Sequence, residues 1–144
     1  MIVRRTSLFP APRQEVFSRL QRLETLQYIA APYATFTPVD GQKSAAWQIG
    51  STTSYRFKLF GFIPFGTHVI RIERFDMDVI QSREHNEHVQ VWDHRITLLE
   101  RNGQTEYTDE VEIKAGWKTV FIWLWAQAFY AHRQRRWIRL LGVC

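Results

Sequence analysis

The sequence predicts an α+β fold in which one antiparallel sheet meets a long closing helix, and three observations carry that prediction. Ile2 to Phe9 reads as an opening strand, followed at once by helical spacing. From about Ser44 to Ile113 polar and apolar residues alternate, with turn signals between the runs. From Trp117 to Leu141 the period becomes helical, and the start of that segment is apolar almost all round. A sheet with one wet face is thus offered an aromatic helix to wrap around, which leaves room for a cavity.

Pro10-Ala-Pro12 ends the first strand and puts Pro12 where a first helical turn tolerates it. Glu15 lies in that turn, and Val16, Phe17, Leu20, Leu23 and Leu26 follow at helical spacing, as one short helix or a bent pair. Ala31-Pro32-Tyr33 stops it, and Asp40-Gly41 marks a loop before Trp47. In the next strand Tyr55, Phe57 and Leu59 share a face, with Arg56 and Lys58 opposite. Gly61 to Gly66 is expected as an apolar loop, either tucked against the core or forming a lip over a pocket. Thr67 to Phe75 is the following strand, Asp76-Met-Asp78 a turn, and another strand ends near Arg83 before the polar turn Glu84-His-Asn-Glu-His88.

Two later strands sort cleanly by face. Trp92, His94, Ile96 and Leu98 point one way, and Asp93, Arg95 and Thr97 the other. After the turn Asn102-Gly103, Thr105, Tyr107, Asp109, Val111 and Ile113 share one face. Glu106, Thr108, Glu110 and Glu112 must be the wet side, so Asp109 is carried inward. A buried carboxylate needs a partner; His94, Tyr107, Arg74 and Gln127 are the candidates. Asp109 then either fixes register and anchors the last helix, or orients a ligand and shares acid/base work with His94.

In the last helix Val120, Phe121, Leu124, Ala128 and Ala131 form the expected inward stripe, leaving Ile122, Trp123 and Phe129 for another contact. Lys118 to Leu141 would span roughly 36 Å at 1.5 Å per residue. The basic stretch His132 to Arg139 suits a helix C-terminus.

Composition narrows the function classes. A chain of 144 residues fits one domain, residues 1–144, and such a domain buries roughly 68 to 70% of its unfolded surface. The balance of 19 Lys+Arg against 14 Asp+Glu gives +5, modest for a nucleic-acid binder, so no nucleic-acid partner is expected. The single cysteine, Cys144, forms no internal disulfide and has no visible base, so a reducing, cytoplasmic compartment is expected. Met1 to Pro10 lacks a secretory h-region. The apolar run Thr119 to Ala131, about 13 residues, falls short of the roughly 20 that span a bilayer. His85, His88 and His94 match no metal spacing, and the glycines form no phosphate loop, so neither metal nor cofactor is expected.

The order strand, two short helices, antiparallel run and long C-terminal helix resembles the START-like superfamily. Phe75-Asp76, Val91-Trp92-Asp93-His94 and Thr105-Glu106-Tyr107-Thr108-Asp109-Glu110-Val111 carry the resemblance, which is nearest to the bacterial ligand-binding group that includes polyketide cyclase-like proteins. It implies a helix-grip fold: a curved antiparallel sheet of about seven strands wrapped around the C-terminal helix, with two short helices after the first strand. A cavity for lipids, polyketides or other apolar molecules would lie between sheet and helix. The resemblance implies that Trp92, His94, Tyr107 and Asp109 line or support it and that Trp117 to Tyr130 forms one wall. Tyr55, Phe57, Trp117, Phe121 and Leu124 complete the expected ligand-binding set. The family has no universal catalytic set, so catalytic residues are not carried over, and His94 and Asp109 stand as the candidates.

The expected role is binding or carrying a small hydrophobic molecule. One alternative is a cyclase- or dehydratase-like enzyme using His94 and Asp109. The other is an interaction module that uses the aromatic helix at a homodimer or at a peripheral membrane contact.

Overall fold

The computed structural model describes residues 1–39 and 49–142. Asp40-Gly41, Trp47, the start of the alternation at Ser44 and Cys144 lie outside them. Strand β1 (Ile2–Phe9) is followed by helices α1 (Arg13–Leu20) and α2 (Leu23–Ala30), then by strand β2 (Ala34–Pro38). Strands β3 (Thr52–Leu59), β4 (Ile63–Phe75), β5 (Val79–His85), β6 (Val91–Arg101) and β7 (Gln104–Lys114) come next. A short 3-10 turn leads into the closing helix α3 (Thr119–Gly142).

The early helices form because apolar residues recur at helical spacing behind a proline. Pro12 caps α1, Glu15 sits in its first turn, and Arg19 pairs with Glu15 one turn on at 3.3 Å. The break at Gln21 and Arg22 makes this a bent pair, with Val16, Leu20, Leu26 and Ile29 buried.

All seven strands pair antiparallel in one sheet, in the order β1-β7-β6-β5-β4-β3-β2. The β6–β7 hairpin turns on Asn102 (φ 53°) and Gly103 (φ 79°), the left-handed conformations that a two-residue turn requires. Register shifts at Arg56/Lys58 and at Ile72/Arg74 interrupt the β3–β4 and β4–β5 ladders. Irregularities of this kind bend a sheet, so the β3–β5 side can curl over the helix.

The interior has two centres. At one end Phe9, Tyr107 and Trp137 stack, with centroids 4.5 to 5.9 Å apart, and α1 and α2 close over them. At the other, Val3, Trp92, Val111, Ile113, Ala126, Phe129 and Tyr130 pack together. Helix α3 rests on β1, β7 and α2 and stands off β3, β4 and β5. That offset makes the space described below.

Three expectations need correction. The segment between Gly61 and Gly66 is not a loop: the turn is limited to residues 60–62, and β4 begins at Ile63. Phe62 is 73% exposed and Ile63 is exposed, while Phe65 packs against the core. Glu84 and His85 belong to β5 rather than to a polar turn. Helix α3 is also rotated from the expected orientation. Val120, Phe121 and Leu124 are exposed, whereas Ala126, Phe129, Tyr130, Gln134 and Trp137 are buried. The first half of α3 is apolar on every side, so its pattern does not select a face, and the true stripe contains a glutamine.

This orientation sets the cost of truncation. Trp137→Ala should destabilise the fold by about 3–5 kcal/mol, whereas Phe121→Ala should stay within about 0.5 kcal/mol, both measured by denaturant unfolding. The reverse ranking would contradict the packing of α3.

Candidate functional site

A cavity of about 300 Å³ lies between α3, α2 and the inner face of β2 to β6. Strand alternation supplies most of its wall. Tyr55, Phe57 and Leu59 come from β3; His68 and Ile70 from β4; Ile80, Ser82 and Glu84 from β5; Trp92, His94 and Ile96 from β6. Phe65 and His68 are an odd number of residues apart yet both face inward, because the register shift and Gly66 (φ 82°) fall between them. Helix α3 contributes Phe121, Ile122, Trp125, Phe129, Tyr130 and Arg133, and α2 adds Leu26 and Ala30. Phe121 both lines the cavity and is 67% exposed, which marks the mouth.

One wall is polar, and its groups form a continuous line. Asn86 Nδ2 lies 3.4 Å from His68 Nδ1, and His68 Nε2 lies 2.6 Å from Glu84 Oε1. Ser82 Oγ donates to Glu84 Oε2 at 2.6 Å, and His94 Nδ1 faces the same oxygen at 3.9 Å. His94 Nε2 meets Asp109 Oδ1 at 2.7 Å. Gln134 Nε2 donates to Asp109 Oδ2 at 3.0 Å, and Ser7 Oγ donates to Gln134 Oε1 at 2.6 Å. The line crosses β4, β5, β6, β7, α3 and β1.

Burial by itself would raise both acids. For Glu84 it is outweighed by the His68 hydrogen bond, the nearby His68 and His94 charges and the Ser82 hydroxyl, so the carboxyl sits below its ordinary 4.5. For Asp109 it is outweighed by the His94 hydrogen bond, the charges of Arg133 and His94 and the Gln134 amide, which hold it below 3.8. Burial also pushes the Tyr130 phenol well above its usual range, keeping it neutral; its oxygen accepts from Trp92 Nε1 at 3.2 Å.

The expected site residues separate into three groups. Tyr55, Phe57, Trp92, His94 and Phe121 line the cavity. Tyr107 and Asp109 are buried but do not line it: Tyr107 lies in the aromatic stack with Phe9, and Asp109 stands behind His94. Trp117 is 81% exposed and Leu124 is exposed, and neither lines the cavity. Of Asp109's candidate partners, His94 is one; the second is Gln134 rather than Gln127, and Arg74 pairs with Asp76 at 2.7 Å.

Sequence reasoning missed Glu84, His68, Ser82, Asn86, Arg133 and Gln134, while Trp125 lies within the stretch Trp117 to Tyr130 expected as a wall. Alternation could have found Glu84, which continues Ile80 and Ser82 in phase once β5 is extended by two residues. Gln134 follows Ala126 and Tyr130 at four-residue steps.

Chemically, the hydrogen bond to Asp109 engages Nε2 of His94 and ties the imidazole into the wall, whereas Nδ1 faces Glu84 at 3.9 Å, beyond hydrogen-bond reach. Among the described residues no group of His, Cys, Asp and Glu is arranged to hold a metal. No helix among them is long and apolar enough to cross a membrane.

A curved seven-strand sheet gripping a C-terminal helix over an internal cavity is the helix-grip fold. Ms6760 from Mycobacterium smegmatis aligns with a TM-score of 0.78 at 14% identity, over 99% of this chain and 91% of that one. CV1439 from Chromobacterium violaceum gives 0.76 at 12% identity, over 98% and 97%. A START superfamily protein from Mycobacterium smegmatis gives 0.64 at 14% identity, over 98% and 97%. At these identities the likeness is one of fold. No curated protein matches the sequence. The chain belongs to the family described as "Domain of unknown function (DUF8410)", which matches residues 7–141.

The depressed acids predict an acid limit. The unfolded chain takes up protons first, so the stabilisation from Glu84 and Asp109 is complete above about pH 4.5 and is lost as pH falls through their lower folded values. Asp109→Asn should cost about 1.5–3 kcal/mol at neutral pH and make stability less steep below pH 4.5. Thermal melts across pH would show this, and a wild-type slope in the variant would contradict it.

Proposed function

We propose that the chain binds or carries a small apolar molecule in the cavity, as a single domain working in a reducing compartment. The observation that carries this reading is the cavity itself: an apolar space of about 300 Å³ whose polar wall is largely hydrogen-bonded internally. That volume is at the lower end of the roughly 300 to 1,000 Å³ typical of small-molecule sites. It suits a single-chain or few-ring molecule and is too small for a two-chain lipid. Affinity would come from apolar surface removed from water, at roughly 25 cal/mol per Å².

Asp109 engages Nε2 of His94 while Nδ1 makes no hydrogen bond to Glu84 at 3.9 Å, so a cyclase- or dehydratase-like enzyme using that nitrogen is the second reading. Trp117 and Phe62, exposed on the β7–α3 and β3–β4 connections, lie at the same end of the sheet as Phe121. Their placement supports an apolar approach to the mouth.

Titration with N-phenylnaphthylamine, an uncharged fluorophore, tests the reading. Binding should weaken at least about tenfold in Ile70→Trp, which fills the cavity, with the melting temperature changed little. Unaltered binding in that variant would put the fluorophore elsewhere and contradict the proposal.

A further inference from the structure

The hydrogen-bond balance of the cavity is one-sided. Its oxygen acceptors on Glu84, Asn86 and Tyr130 are used: both oxygens of Glu84 have partners, the Asn86 carbonyl takes the His88 and Val89 N–H groups at 2.8 and 2.9 Å, and Tyr130 Oη takes Trp92 Nε1; behind the wall both oxygens of Asp109 are held as well. The buried side-chain atoms left without a partner on cavity-lining residues are both donors, Arg133 Nε and Trp125 Nε1.

Arg133 is the stronger of the two. Its Cζ lies 5.7 Å from the centre of the Tyr130 ring, and its neighbours include Tyr107 and Asp109. The Tyr107 hydroxyl is adjacent but outside hydrogen-bonding geometry. Asp109 offers charge but no free oxygen, since His94 and Gln134 hold both. Every ion pair formed among the described residues leaves Arg133 out. Arg133 is half-buried, and its Nε is withdrawn from water without a hydrogen-bonded partner, which is costly; a carboxylate matches the planar fork of a guanidinium with two parallel bonds.

We propose that the cavity's ligand is an apolar molecule ending in a carboxylate, held by Arg133 with the apolar body directed toward Phe121 and the mouth. The assignment rests on the cavity being the binding site. Trp125 lies eight residues before Arg133 on the same helix, about 12 Å away along the axis, and its N–H is available to an oxygen near the outer end of the ligand.

Decanoate and decanol share a chain and differ in the head, so their competition against N-phenylnaphthylamine at neutral pH isolates the role of Arg133. The wild type should bind decanoate at least about tenfold more tightly than decanol, the yield of charge-assisted hydrogen bonds. Arg133→Met should bring the two within about twofold by weakening decanoate alone. Should that variant fail to fold, Arg133→Lys decides: it keeps the charge and loses the fork, so the preference should fall several-fold. Equal binding by the wild type, or a preference untouched by either substitution, overturns the carboxylate assignment while the cavity remains a binding site. If neither compound nor the fluorophore binds, both the assignment and the reading beneath it fail.

Discussion

A carboxylate with no access to water must find all its partners within the protein, and Asp109 is such a group. It meets His94 on β6 and Gln134 on α3, and Gln134 in turn holds Ser7 and the Arg5 carbonyl on β1. One side chain thereby links two neighbouring strands of the sheet to the helix that lies across them. The partners are satisfied only when α3 sits at one height and rotation, so this contact sets which helix residues face the sheet. Glu84 extends the same logic to β5 and β4 through His94 and His68.

From that anchor follows a division of labour along the interior. Beyond Gln134, the stack of Phe9, Tyr107 and Trp137 closes the space between sheet and helix. In the other direction α3 leans on β1 and β7 and stands off the bulged strands β3 to β5. Trp92 on β6 reaches Trp125 and Tyr130 on α3, and the space left beside them is the cavity. The Phe9, Tyr107 and Trp137 stack and the ligand space thus lie on different stretches of one helix, so a molecule can enter without disturbing that stack.

How far the sequence revealed this varied with the local chemistry. In β6 and β7 one face is charged, so alternation assigned Trp92, His94, Tyr107 and Asp109 to the interior. The position of Asp109 on the inner face also implied a partner, and His94 was among those named. In α3 the same reasoning turned the helix the wrong way: Phe121 and Leu124 look more buried than Gln134 and Arg133, and only the anchor to Asp109 reverses the order. Glu84 looked like part of a polar turn because its burial is stabilised by histidines on two other strands, contacts that neighbouring residues do not announce. The cavity was legible as a class of architecture, but its volume and position depend on how far α3 stands from β3 to β5, a tertiary distance with no sequence signal.

The central claim is that an apolar molecule occupies the space under α3, and isoleucine side chains report on it directly. In a methyl-labelled sample, adding N-phenylnaphthylamine should move the resonances of Ile70, Ile80, Ile96 and Ile122, which line the cavity, and leave Ile2 and Ile138 on the outer surface unmoved. Binding accompanied by shifts at Ile2 or Ile138, with the four cavity methyls unchanged, would contradict the account.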